Sequence, residues 1–198
     1  MNKRCFLLIG VFLFSLILVY GCGEDKVTPP TAGELTEQGW AKFAAGDDAS
    51  ASGDFNAALG LDPQFYEAYF GLGWAELRLN HAGMAEDAFV TYLAEKTGSN
   101  DAKAGLALAC HAQDKFEDAI VAAEEVLDAD PTWSFSRAPE INYQDVALVL
   151  AHSYYETADF EQSLQVIRDY LDPGYWVDTT TPEGRKQLAD KLESLYSG

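Results

Sequence analysis

The hydrophobic pattern divides this chain into four stretches. Phe6 to Tyr20 is almost purely apolar, broken only by Gly10 and Ser15. Gly23 to about Gly33 is polar and carries Pro29 and Pro30, the composition of a partly extended tether. From there to about residue 177, small and aromatic residues recur at one long interval. The last stretch places Leu188, Leu192 and Leu195 at helical spacing. Ahead of it stand Thr181, Pro182 and Glu183, which read as an N-cap, a first-turn proline and an acid matched to the helix dipole. A terminal helix over 182–196 with one apolar face follows from this pattern.

The long interval is 34 residues. Ala51, Ala85 and Ala119 are separated by it, as are Phe55 and Phe89. Gly39 and Gly73 keep it twelve places before those alanines, and Ala107 takes the third slot. Pro63 and Pro131 lie two periods apart. A fourth unit falls into step only after a break of ten residues following Trp133; Leu150, Ala151, Tyr154, Phe160 and Ser163 then take the corresponding positions. The pattern suits paired antiparallel helices. A small residue on the first helix admits the second, alanine packs at the crossing, an aromatic fills the gap to the next unit, and proline ends the second helix.

A period of this length, with these residues at these offsets, resembles the tetratricopeptide repeat. The resemblance implies an all-α, right-handed superhelical solenoid of about four helix-turn-helix units, near 32–65, 66–99, 100–133 and 144–177, closed by the helix over 182–196. The chain departs from the repeat's pattern in places. Its first-helix tryptophan slot holds Leu35, Tyr69, Lys103 and Ala147, Thr97 replaces a closing proline, and Ser163 replaces the crossing alanine.

The first stretch reads differently. Lys3 and Arg4 precede an apolar run too short for a usual membrane span, and the run ends at Val19-Tyr20-Gly21-Cys22. This ending resembles the lipobox of bacterial lipoproteins. The resemblance implies a signal peptide over 1–21, a lipidated Cys22, a tether over 22–33 and a domain over 34–198. The other reading is an uncleaved anchor with an incidental cysteine. Both place the domain outside the cytoplasm on a membrane. Gly23, not aspartate, follows Cys22, and by analogy with enteric sorting this favours the outer membrane over the inner.

In the repeat family the first helices line a concave face. By that resemblance the candidate partner-binding residues are Trp40, Phe70, Trp74, Arg78, Leu108, His111, His152 and Tyr155, with Glu67, Leu77, Asp101, Asp145 and Leu148 at neighbouring contact positions. The expected partner is another envelope protein or peptide with basic or aromatic anchors. A small molecule or glycan using the same aromatics is the alternative. Trp40 and Trp74 face either the groove or the core, and the break over Ser134–Tyr143 is either a functional loop or packing. On the groove reading, replacing Trp74 by alanine weakens partner capture and leaves helix content intact. The slots that would hold a carboxylate clamp carry Thr36, Trp40, Phe70, Asp101 and Gly105, so no cation clamp is expected.

Charge narrows the partners. With 13 Lys and Arg against 32 Asp and Glu the net charge is −19, and loss of Lys3 and Arg4 with the leader would take it to −21. Such a surface repels nucleic acid and anionic lipid headgroups. Candidate chemistry is sparse. His81, His111 and His152 form no zinc motif, and no nucleophile elbow or phosphate loop occurs. Cys110 reads as a buried small hydrophobe. The sequence therefore predicts a binding scaffold without cofactor or metal, and not an enzyme.

Overall fold

A computed structural model of the chain describes residues 28–197. Its helices are α1 (Ala32–Ala44), α2 (Asp48–Leu61), α3 (Tyr66–Arg78), α4 (Ala82–Glu95), α5 (Asn100–His111), α6 (Phe116–Ala129), α7 (Tyr143–Glu156), α8 (Phe160–Val166) and α9 (Pro182–Tyr196). A π-helical turn, Ile167–Leu171, extends α8. No strand forms among the described residues; a single antiparallel bridge joins Ser134 and Asn142. The expected signal peptide, Cys22 and the first half of the expected tether, 22–27, lie outside the described residues, and within the described residues no helix is long and apolar enough to cross a membrane.

Side chains set where six of these helices begin. Thr31 with Glu34, and Asn142 with Asp145, form reciprocal capping boxes at α1 and α7. Asp47, Ser99, Asp159 and Thr181 each accept a first-turn N–H that the helix cannot satisfy itself. The turn inside each hairpin also repeats. Gly46, Asn80, Asp114 and Ala158 have φ of +78°, +61°, +57° and +64°. The next N–H then reaches back five residues: Asp47 to Lys42, His81 to Glu76, Lys115 to Cys110 and Asp159 to Tyr154. This left-handed residue closes the last turn of the helix by satisfying a free carbonyl.

The hairpins stack in chain order, each packing on the next, and the first helices α1, α3, α5 and α7 touch in sequence along one side. Two phenylalanines show how tight the stack is. Phe55 on α2 lies between Gly39 on α1 and Gly71 on α3, where an added Cβ would sit 2.7 and 2.3 Å from the ring. Phe89 on α4 lies between Gly73 and Gly105 in the same way, at 2.7 and 2.2 Å. Glycine is required there by close approach. Ala51, Ala85, Ala119 and Ser163 are buried at matching positions of α2, α4, α6 and α8, and Ala107 and Ala151 are buried on α5 and α7. Pro63 and Pro131 lie exposed in the turns after α2 and α6. At the far end α9 buries Leu188 and Leu192 and packs on α7 and α8.

Candidate functional site

The face made by α1, α3, α5 and α7 holds the candidate partner-binding residues, and its N-terminal half is filled by the chain itself. After α6 the backbone leaves the solenoid at Trp133 and returns at Tyr143. The Tyr143 N–H donates to the Trp133 carbonyl at 2.7 Å, which closes the neck of a loop. Within it Phe135 N–H donates to Ile141 O (2.9 Å), Ala138 to Phe135 (3.1 Å) and Ile141 to Ala138 (2.9 Å). The loop is thus a compact, internally bonded unit of the kind found in short Ω-like connections.

Phe135 projects from this loop back onto the first two hairpins and is fully buried, at 0% exposure. Its ring stacks on Trp74 at a centroid distance of 4.2 Å and an interplanar angle of 16°. Trp40, Phe43 and Phe70 surround it at 6.3, 6.4 and 6.0 Å with rings turned toward edge-to-face packing, the geometry that ring quadrupoles favour. The Arg137 guanidinium lies 4.1 Å over the Trp40 ring. Arg78 donates to the Phe43 carbonyl (2.9 Å), to Asp48 (3.4 Å) and to Glu140 of the loop (3.1 Å). Trp133, at the neck, donates its indole N–H to Asp101 at 2.8 Å.

Trp40, Phe70 and Trp74 are therefore buried, not presented to a partner, and Arg78 is committed to its own chain. Trp74 is only 1% exposed and belongs to the core, so Trp74→Ala would remove core packing and is not a clean probe of partner capture. Asp101 and Asp145 are also occupied, by Trp133 and by the α7 cap. Glu67 remains exposed on α3.

Leu108, His111, His152 and Tyr155 lie half-buried in the C-terminal half of the face. His111 Nε2 and His152 Nδ1 are 3.0 Å apart, and Tyr196 Oη of α9 stands 3.2 Å from His111 Nε2. Burial, with the neighbouring His152 in second place, pushes the His111 pKa down to about 4. This pair was expected on one face. Its closure by Tyr196 was not, because Tyr196 is 85 residues away along the chain. His152, Tyr155, Glu156, Leu192 and Tyr196 line a cavity of about 280 Å³. Among the described residues no cluster of three or more His, Cys, Asp or Glu side chains is placed to hold a metal.

Two further features bear on chemistry. Ser52 donates to buried Glu76, whose other carboxylate oxygen lies 2.7 Å from His81 Nδ1. The carboxylate stands between serine and histidine, so His81 cannot take the serine proton as a nucleophilic triad requires. Cys110 is buried, and burial raises its thiol pKa to about 11, the reverse of a reactive thiolate. In the turn over Gly174–Trp176, Tyr175 packs and donates to the Gln187 carbonyl at 2.8 Å, whereas Trp176 is 69% exposed. That indole borders a cleft of about 260 Å³ with Glu161, Gln165, Arg168 and Thr180.

No protein-family model matches the sequence, and no curated protein matches it. Solved structures match its fold. The chain is similar to MamA from Desulfovibrio magneticus at a TM-score of 0.61 and 19% identity, covering 71% of this chain and 74% of that one. A MamA mutant gives 0.63 at 13% identity, covering 84% and 88%. A tetratricopeptide repeat protein from Parabacteroides merdae gives 0.58 at 16% identity, covering 84% of this chain and 60% of that one. The fold is that of a tetratricopeptide-like helical solenoid.

Proposed function

We propose that the chain is a non-catalytic scaffold of the bacterial cell envelope, held to a membrane through a lipidated Cys22, that binds another envelope protein or peptide on its inner face. The leader and its Gly21-Cys22 ending support the anchor, and the absence of aspartate after Cys22 favours the outer membrane. The helical-hairpin fold supports protein binding, because such stacks present extended faces. One observation carries the choice of face: Phe135, on non-helical backbone, is seated on Trp74 between α1 and α3. The inner face is thus built to accept an aromatic side chain carried on non-helical backbone, and aromatic anchors of this kind dominate binding in such grooves.

The test is photocrosslinking in intact cells. A crosslinker at exposed Glu67 on the inner face should trap one protein that a crosslinker at exposed Val121 on α6 does not. Identical products at both positions, or none at Glu67, would sink the reading. The anchor has its own test: Cys22→Ser should abolish incorporation of labelled fatty acid.

Binding of a glycan is the second reading. Its groove aromatics are taken, but exposed Trp176 beside a polar cleft offers another platform for a sugar ring. A melting-temperature rise with an oligosaccharide that Trp176→Ala removes would favour it.

A further inference from the structure

The loop over 134–142 has the form of a bound ligand that happens to be covalently attached. It is non-helical and closed at its neck by the bridge between Ser134 and Asn142. Phe135 and Ala138 are buried while Ser136, Arg137, Pro139 and Glu140 are exposed. It follows the third hairpin but reaches back to the first and second. Its contacts there are a ring seated on Trp74, a guanidinium over Trp40 and a carboxylate on Arg78. Beneath the loop lie Trp40, Phe43, Phe70, Trp74 and Arg78, and tryptophan and arginine are among the types enriched in binding hot spots. The chain's acidity adds a preference, since a cation brought to this face meets a net charge of −19.

We propose that residues 134–142 are an internal ligand that competes with the partner for one seat. The partner segment shares its chemistry: an aromatic anchor, an arginine two residues on, and an acid five residues on. This rests on the reading of the chain as a protein-binding scaffold and names the segment it takes. The partner gains access when the loop swings out at its neck while the helices stay packed. Segments can open as a unit without global unfolding, and this one is held by Phe135, Ala138 and the contacts of Arg137 and Glu140. Occupancy by the loop lowers the apparent affinity by the fraction of molecules in which the seat is open.

The probe is a synthetic peptide spanning residues 132–144, tested against the folded chain by fluorescence anisotropy. Phe135→Ala empties the seat. Arg137→Glu weakens the latch and leaves Phe135 in place, which preserves a test if Phe135→Ala does not fold. Each folded variant should bind the peptide about tenfold or more tightly than the wild type does, and a peptide with alanine in place of its phenylalanine should bind none of them. Equal binding to wild type and variants, or none to any folded variant, would overturn the proposal. Native-state hydrogen exchange gives an independent check. The amides of Phe135, Ala138 and Ile141 should exchange at least about tenfold faster than the core amides of α3, and faster still in Arg137→Glu. Exchange of those amides only through global unfolding would overturn it too. A partner trapped at Glu67 with no peptide binding would leave the scaffold standing and remove this inference alone. Peptide binding with nothing trapped in cells would establish the seat but leave it no partner, and would overturn the scaffold reading and this proposal together.

Discussion

Ala158 and Ser163 stand where the other hairpins place better-suited residues, and each carries a measurable cost. Ala158 adopts φ +64° at the position that Gly46, Asn80 and Asp114 fill elsewhere. A left-handed alanine is strained, whereas glycine is not. Ala158→Gly should therefore stabilise the chain by about 1 kcal/mol, read as a raised urea midpoint with unchanged slope. Ser163 replaces the crossing alanine and its hydroxyl is buried with no hydrogen-bond partner among the described residues. Ser163→Ala should add about 1 kcal/mol by removing an unsatisfied group. Gly71 runs the other way. A methyl group there would meet the Phe55 ring at 2.3 Å, so Gly71→Ala should destabilise by about 1–3 kcal/mol in the same assay. A neutral Gly71→Ala would mean that Phe55 has room the packing does not show.

At the scale of elements, the hairpins were legible and the loop was not. The 34-residue interval follows from each hairpin using the same crossing, and Gly39, Ala51, Phe55 and their successors read it out directly. A second set of periodic residues went unused: Gly46, Asn80 and Asp114 keep the same interval and are all residue types that tolerate positive φ. They locate the turn inside each hairpin from sequence. Gly71 and Gly105 are likewise one period apart and mark where the following hairpin meets Phe55 and Phe89. Nothing comparable announces residues 134–142, because Phe135 meets Trp40 and Trp74, 95 and 61 positions earlier, and distance along the chain carries no local pattern. The capping box that restarts the helices after the loop is a prediction of its own. Asn142→Ala should cost about 1 kcal/mol and fray the start of α7, seen as faster amide exchange there.

For the whole molecule, the closure of the far end is tied to pH. His111 on α5 faces His152 and Tyr196, so α5, α7 and α9 meet at one contact, with Glu156 3.7 Å from the other His152 nitrogen. The folded chain holds the His111 pKa near 4 from an ordinary 6.5. Between these values the unfolded chain binds the proton and the folded chain does not, so stability falls as pH drops from about 6.5 toward 4. His111 is partly exposed, so solvent screening holds the loss to about 1–2 kcal/mol. His111→Gln should flatten that slope relative to the wild type in melting curves from pH 7 to 4.5; parallel slopes would refute the assignment.

Helical hairpins, their number and their crossings were determined by the sequence alone, since each hairpin repeats one local solution at one interval. Which aromatics stay free was decided only by the tertiary structure. Trp40 and Trp74 sit on the predicted face, but a non-repeating loop buries them there. The periodic pattern reports contacts between neighbours in the stack, and a side chain arriving from two hairpins away leaves no trace in it.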